Sequence, residues 1–199
     1  MERIAGIETE YGCLVSGEAA HGNGDAWPVR VKNHLFRKMH AGAIDLHYRD
    51  YEEPPGNGGF LRNGGRIYLD MGHIEYASPE CRQLRDMVAY DLAGDQLLHS
   101  ALTSLGAAES VSFIKNNIDH HTGATFGCHE NYLMKREAQL PPPALGPPLA
   151  FLATRPIFPG PARPGPAHPP PSDLDVPPAA YTTALHPRRR PHPPLPSPH

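Results

Sequence analysis

The sequence is poor in cysteine, has no long apolar run and carries little net charge. Its three cysteines, Cys13, Cys81 and Cys128, are far apart and show no C-x-x-C spacing, so we do not expect a disulfide framework. It contains no stretch of about 18 apolar residues and no apolar run of the signal-peptide type, which predicts a cytoplasmic protein without membrane contact. The formal net charge of −3 gives no reason to expect nucleic-acid binding.

Two common nucleotide-binding motifs are absent as well. Neither G-x-x-x-x-G-K-S/T nor G-x-G-x-x-G occurs in the sequence. If a nucleotide binds, we therefore expect it to lie on the surface of a sheet, held by a metal ion and an arginine. No cysteine has a base at a recognisable spacing, which argues against a thiol enzyme.

Proline is scarce in the first 140 residues and abundant after them. Of the 25 prolines, only Pro28, Pro54, Pro55 and Pro79 come before residue 140. Because proline lacks a backbone donor and the regular apolar spacing is lost, we expect residues 139–199 to be disordered or to result from a shifted reading frame. A disordered tail that binds a partner through polyproline motifs is the alternative. Residues 1–138 form the expected folded part.

Periodicity in this first part predicts an α+β fold with a mainly antiparallel sheet. The expected strands are residues 3–15, 74–77, 110–118 and 126–135, and residues 60–71 are expected to form a turn that enters a strand. The expected helices are residues 29–42 and 78–105. Residues 43–60 are expected to form a mobile loop. Ser78 is the expected N-cap of the long helix, and Gly106 is its expected stop. Its apolar positions, expected on one side, are Leu84, Met87, Val88, Leu92, Leu98, Leu102 and Leu105.

The first expected strand carries two acidic side chains, Glu8 and Glu10, on one face. With a period of two, their carboxylates lie about 7 Å apart, and Ile7, Thr9 and Tyr11 point the other way. If the acidic face meets solvent, the two groups are ordinary surface charges. If it lines a cavity, they need a cation, and their hard oxygen atoms suit Mg²⁺.

A second strand and a histidine are further candidates. Arg66, Tyr68 and Asp70 share one strand face, where the arginine could bind a phosphate and the aspartate could serve as a base or metal ligand. The alternative is an Arg–Asp pair at the surface. His129 is either a metal ligand or proton carrier, or a hydrogen-bonded, half-buried histidine.

Four stretches resemble the family of Pup ligases and Pup deamidases. They are residues 3–12 (RIAGIETEYG), 61–70 (LRNGGRIYLD), 75–81 (EYASPEC), and 115–117 (KNN) followed by 127–133 (GCHENYL). Their order and approximate spacing also fit the family, and residues 151–155 (FLATR) are a fainter match. Each stretch is weak alone, but the set is specific. The resemblance covers about residues 1–135.

The resemblance implies a fold and a reaction. The fold is glutamine-synthetase-like, with a curved antiparallel sheet whose concave face holds ATP and Mg²⁺. The ligase of this family phosphorylates the C-terminal glutamate of Pup, a small ubiquitin-like modifier, and joins it to a lysine of a substrate protein. The deamidase converts a C-terminal glutamine of Pup to glutamate and also removes Pup from proteins.

The resemblance also implies roles for individual residues. Those implied in the metal environment are Glu8, Tyr68 and Glu75, with Glu10 and His129 as further ligands. Arg66 and Ser78 are implied to contact ATP. Asp70 is implied to be the catalytic carboxylate, a base toward the incoming lysine. The interpretation requires these acidic side chains to meet on one surface.

The choice between ligase and deamidase depends on details of spacing. The length of the segment 13–60 and the runs FLRNG and GCHENYL favour a ligase. The five-residue step from Asp70 to Glu75, the run of residues 78–80 and the pair at 134–135 favour a deamidase. We favour the ligase. Two further alternatives are an inactive fragment that acts as a binding module, and a glutamate–cysteine-ligase-like enzyme that shares the fold.

Overall fold

The computed structural model describes residues 4–17, 26–49, 51, 53–115, 126–133, 142–154, 163–164 and 174–175. The strands are β1 Ala5–Val15, β2 Gly42–Ile44, β3 Gly58–Leu61, β4 Arg66–Asp70, β5 His73–Ala77, β6 Val111–Ile114, β7 Cys128–Tyr132, β8 Arg163–Pro164 and β9 Leu174–Asp175. The helices are α1 Ala26–Arg37, α2 Leu84–Ser104 and α3 Pro142–Thr154. Within these residues, no helix is both long and apolar enough to cross a membrane.

Strand β1 lies at the centre of a seven-stranded sheet. The order is β2-β3-β4-β5-β1-β6, and β7 pairs with β1 beside β6. One edge of β1 pairs with β5, while the other pairs first with β7, from Ala5 to Thr9, and then with β6, from Gly12 to Val15. All of these pairings are antiparallel, so the predicted α+β class with an antiparallel sheet is confirmed.

Helices α1 and α2 cover one face of this sheet. The alternation of side chains sends Ile67, Ile74 and Tyr76 toward the helices, where each is at most 1% exposed. Helix α1 contributes Trp27, Val31, Leu35 and Phe36, and helix α2 contributes Leu98, Ala101 and Leu102. This apolar layer is the core, and the opposite sheet face is left for polar side chains.

Gly94 permits α2 to approach the sheet closely. A Cβ atom at this position would lie 2.6 Å from Cδ1 of Tyr76, closer than packed atoms can come. Because the residue has no side chain, the helix backbone can rest against the Tyr76 ring. A glycine usually weakens the interior of a helix, but here the structure shows it to be a packing requirement.

The expected start of α2 at Ser78 was wrong. The helix begins at Leu84, and its N-cap, Gln83, makes no side-chain capping bond. Ser78 instead extends the sheet: its backbone N donates to the Ile7 carbonyl at 2.8 Å, and its Oγ accepts from the Ile7 N at 3.0 Å. Since the pairing continues to a bridge between Ala5 and Cys81, the chain cannot turn into a helix earlier.

The expected apolar face of α2 was only half right. Leu98 and Leu102 are buried, whereas Leu84, Val88 and Leu92 are 75%, 61% and 54% exposed. The helical periodicity was correct, but the buried residues of α2 begin only at Gly94. The expected stop is confirmed, since Gly106 follows the helix with a φ of 68°.

Other boundaries moved by a few residues. Helix α1 begins three residues before the expected position and ends at Arg37, because residues 42–44 form β2. The expected loop 43–60 therefore begins and ends in strands β2 and β3. In the tail, α3 and the β8–β9 pair occur where no regular structure was expected.

Candidate functional site

Strand register brings the acidic candidates together on the sheet face opposite α1 and α2. Glu10 of β1 lies across from Glu75 of β5, and Glu75 lies across from Tyr68 of β4. On the other edge of β1, Glu8 lies across from His129 of β7. Directly paired residues project to the same side of an antiparallel sheet, so these five side chains share one surface.

The hydroxyl of Tyr68 lies at the centre of this surface. It contacts Oε1 of Glu8 and Oε2 of Glu75, so two carboxylates approach one phenol. A phenol has a single proton and can donate to only one of them at a time. Tyr68 and Glu75 are 7% and 5% exposed, so water does little to screen the two acids from each other. The cluster therefore carries negative charge that its own hydrogen bonds do not balance.

The pKa values of Glu75 and Tyr68 reflect their burial and, to a smaller extent, the neighbouring negative charges. Burial raises the pKa of Glu75 to about 7; the hydrogen bond from Tyr68 opposes the rise, and the charges of Glu8, Asp70 and Glu10 add to it. Burial, followed by the charges of Glu75 and Glu8, also raises the pKa of Tyr68 above its ordinary value. Burial is thus the main cause of both shifts, and the neighbouring carboxylates add to it.

Glu10 is held by a histidine and a backbone amide. Its Oε1 lies 2.5 Å from Nδ1 of His73, and its Oε2 accepts from the N of Gly127 at 2.6 Å. The His73 ring meets the Phe126 ring edge-on, with their centroids 5.2 Å apart. His73 lies between the expected segments 60–71 and 74–77, and it was not among the predicted site residues. Extending the alternation of β5 back by one step from Glu75 would have found it.

His129 contacts the cluster from the other edge of β1. Its Nδ1 lies 3.1 Å from Oε2 of Glu8, and its side chain is 51% exposed. His129 therefore lies on the acidic surface, and its role as a metal ligand or proton carrier remains a prediction.

Arg66 borders the carboxylate cluster and binds a residue that sequence reasoning missed. Its Nη1 and Nη2 donate to the two carboxylate oxygens of Glu53, at 3.2 and 3.0 Å. The guanidinium also lies over the ring of Tyr68, 4.7 Å from its centroid. No motif marked Glu53, which lies in the expected loop, and only the fold brings it to Arg66.

The remaining candidates lie at the margins of this surface. Asp70 ends β4 across from His73, and its charge contributes to the raised pKa of Glu75. The hydroxyl of Ser78 donates to the Pro79 carbonyl at 3.0 Å, in addition to accepting from the backbone of β1. Lys115 lies on the helix-covered side of the sheet, and its neighbours 116 and 117 fall outside the described residues.

The chemistry of this cluster fits a hard divalent cation. In the described part of the chain, no three His, Cys, Asp or Glu side chains are grouped closely enough to hold a metal as they stand. Glu8 and Glu75 instead meet around the Tyr68 hydroxyl. Carboxylate oxygens are the ligands that Mg²⁺ prefers, and a cation would offset the charge that raises the pKa of Glu75.

Comparison with known proteins identifies relatives of this chain. A family model described as Pup-ligase protein matches residues 3–171. The Pup–protein ligase of Kineococcus radiotolerans is 38% identical over 145 residues, which cover 69% of this chain and 29% of that protein. The Pup–protein ligase of Corynebacterium diphtheriae is 37% identical over 167 residues, which cover 79% and 32%.

A solved structure agrees with these relatives. The crystal structure of the complex between the prokaryotic ubiquitin-like protein Pup and its ligase PafA superposes with a TM-score of 0.62 at 35% identity. The match covers 86% of this chain and 32% of that one. The chain thus spans less than a third of the length of the two relatives above, and its match to the family model continues beyond residue 138. With 169 residues matched, this chain belongs to the Pup-ligase protein family.

Proposed function

We propose that this chain carries part of the ATP- and Mg²⁺-binding surface of a cytoplasmic Pup–protein ligase. The reaction would activate the C-terminal glutamate of Pup and join it to lysines of substrate proteins. The observation that carries this proposal is the convergence of Glu8 and Glu75 on the Tyr68 hydroxyl. Membership of the family and the names of the relatives support the choice of reaction.

In this proposal the cluster holds the metal and Arg66 binds the nucleotide. Glu8, Tyr68 and Glu75 would hold Mg²⁺, and Glu10 and His129 would be further ligands on the same face. Bound Mg²⁺ would supply positive charge to the phosphates of ATP. Arg66 and Ser78 would contact the nucleotide from the margin of the cluster; for Arg66, the pairing with Glu53 already shows a geometry suited to an oxyanion.

Asp70 would be the catalytic base. Phosphorylation makes the glutamate carboxylate of Pup reactive, and the lysine nitrogen then attacks its carbonyl carbon while phosphate leaves. The nitrogen must lose a proton in this step, and the Asp70 carboxylate would accept it. Asp70 sits on the same strand face as Tyr68, which would place it next to the bound phosphates.

The relatives bear on the alternatives. Those reported above are named as ligases, which supports ligase over deamidase. The same names support Pup rather than the free glutamate expected of a glutamate–cysteine-ligase-like enzyme. A binding module remains the alternative from another class, because the chain covers 29% and 32% of the two relatives.

Calorimetric titration with ATP in the presence and absence of Mg²⁺ tests the proposal. We expect saturable, Mg²⁺-dependent binding that Glu8→Gln weakens at least about tenfold, since the substitution removes a charged metal ligand. Glu109→Gln removes the same charge from an exposed turn between α2 and β6, and should leave binding unchanged. Pup binding without any nucleotide binding would reject the proposal in favour of the binding module.

A further inference from the structure

Arg66 holds a carboxylate where the proposed function needs a phosphate. Both of its terminal nitrogens bind Glu53, each to a different oxygen, at 3.2 and 3.0 Å. This two-bond geometry is also the one by which arginine binds phosphate. An incoming phosphate would therefore meet a guanidinium edge that an internal anion already occupies.

The Arg66 side chain itself is fixed in place. It is only 18% exposed, and its guanidinium lies 4.7 Å from the centroid of the Tyr68 ring and 5.6 Å from that of the Phe60 ring. The β4 backbone at Arg66 pairs with Phe60 on one side and with Ala77 on the other. Any exchange of partners at this arginine must therefore come from movement of the anion.

One further atom of Arg66 indicates that its present partners do not satisfy it. Its Nε is buried and has no hydrogen-bond partner among the described residues. A buried donor without a hydrogen-bond partner destabilises the fold, and an anion with more oxygen atoms could accept a hydrogen bond from Nε as well. Glu53 supplies two oxygens, whereas a terminal phosphate group supplies three.

Asp45, the other acid near Arg66, is not exchangeable. Its side chain is 4% exposed and accepts two hydrogen bonds from Arg49, at 3.0 and 2.7 Å. It also accepts one from the backbone N of His47 at 3.1 Å, and these bonds hold its pKa below the usual range. Asp45 lies 3.8 Å from Arg66 Nη2 and is already committed to Arg49.

Glu53, in contrast, can leave. Its side chain is 28% exposed, and the Nε of Arg49 lies 3.5 Å from its Oε2, so a second cation is at hand to receive it. The backbone just beyond Glu53 is anchored, because Lys32 donates to the Gly56 carbonyl at 2.6 Å. Movement of the Glu53 carboxylate toward Arg49 would expose the Arg66 edge.

We propose that Glu53 is an internal competitor of the nucleotide phosphate for Arg66, and that it sets how tightly this chain binds ATP. Two anions cannot share one guanidinium edge beside the acidic cluster of Glu8 and Glu75 without strong repulsion. Binding of phosphate then requires the Glu53 carboxylate to move from Arg66 to Arg49. The inference rests on the proposed nucleotide site, and it assigns a role to a residue outside that site's ligands.

The experiment measures the affinity of the full chain for Mg²⁺-ATP by calorimetry, with inorganic pyrophosphate titrated in parallel. We expect Glu53→Gln to bind ATP about fivefold more tightly, which corresponds to the loss of one partly exposed ion pair that competes with the ligand. Glu109→Gln, which removes a charge from an exposed turn, should not change the affinity. Glu53→Asp, whose shorter carboxylate keeps the charge, should give a smaller gain.

The dependence on Arg66 makes the test specific. In an Arg66→Ala background the gain from Glu53→Gln should vanish, and thermal melting of each variant checks that the fold is kept. Equal or weaker ATP binding by Glu53→Gln would overturn the inference, since Glu53 would then orient Arg66 rather than compete with its ligand. Failure of wild type to bind Mg²⁺-ATP would reject the nucleotide site. The pyrophosphate titrations would still decide whether Glu53 competes at Arg66.

Discussion

The two faces of strand β1 handle acidic side chains in opposite ways. On the helix-covered face, Asp91 of α2 accepts from the hydroxyl of Thr9 at 2.9 Å, and Asp95, one turn later, accepts from the hydroxyl of Tyr11 at 2.8 Å. Lys115 joins both aspartates, at 2.7 and 2.8 Å. On the open face, the carboxylates of Glu8 and Glu75 both contact the hydroxyl of Tyr68.

This contrast separates charges that are matched by partners within the fold from charges that are not. On the helix-covered face the acids are matched by donors and a cation: burial lowers the pKa of Lys115, but its bonds to Asp91 and Asp95 outweigh that effect and raise it. On the open face burial and neighbouring acids raise the pKa of Glu75. Alternating residues of one strand thus serve stability on one side and the proposed site on the other.

The largest effect expected from a change of pH is a loss of stability that originates on the open face. The pKa of Glu75 in the folded protein lies above its ordinary value of 4.5, so the folded state binds this proton more tightly than the unfolded state. The resulting contribution to the free energy of unfolding is fully present below pH 4.5 and is lost as the pH rises through about 7. We expect ionisation of Glu75 to lower the free energy of unfolding by about 2 kcal/mol. Denaturant unfolding between pH 5 and 8.5 measures it.

The control for this prediction is Glu75→Gln, which cannot ionise. This variant should unfold with a flatter pH profile than the wild type and should be the more stable of the two at pH 8. Added Mg²⁺ should restore wild-type stability at pH 8 if the cluster binds it. If the free energy of unfolding changed with pH in the same way for both proteins, Glu75 would not be the group responsible for the pH dependence.

A smaller effect is expected on the helix-covered face. Tyr11→Phe removes the hydroxyl that donates to Asp95, and it should lower the free energy of unfolding by about 1 kcal/mol, because the aspartate is partly exposed and can bind water instead. Chemical denaturation measures the loss, and Tyr48→Phe, at a side chain that is 69% exposed, serves as the matched control. Nucleotide affinity should not change. A large drop in affinity would mean that the two faces are coupled.

The sequence predicted the sheet well where alternation alone decides the structure. In β1, the inward Thr9 and Tyr11 and the outward Glu8 and Glu10 follow directly from the period of two. The start of α2 was wrong because a serine followed by proline has the local signature of a helix N-terminus, whereas Ser78 is bound by the backbone of β1. Long-range pairing overrode local preference, and local preference is all that a short window shows.

The candidate site shows the same division. Glu8, Tyr68 and Glu75 were predicted, and their strands bring them into contact. Glu53 was missed because it lies in a loop, where no periodicity assigns a face, and its partner Arg66 is 13 residues away. His73 was missed because a preceding glycine suggested a break, although Gly72 forms the turn with a φ of 92° and β5 begins directly after it.

The smallest expected effect concerns the exposed stripe on α2. Helical periodicity predicts that Leu92 and Leu98 are both core residues, yet they are 54% and 1% exposed. Leu92→Gln should therefore change the free energy of unfolding by less than about 0.5 kcal/mol, whereas Leu98→Ala should cost about 3 kcal/mol. Equilibrium denaturation of the two variants compares them directly. Similar losses of unfolding free energy in the two variants would mean that Leu92 is buried in solution. The apolar face predicted from the sequence would then be covered by more than the sheet beneath α2.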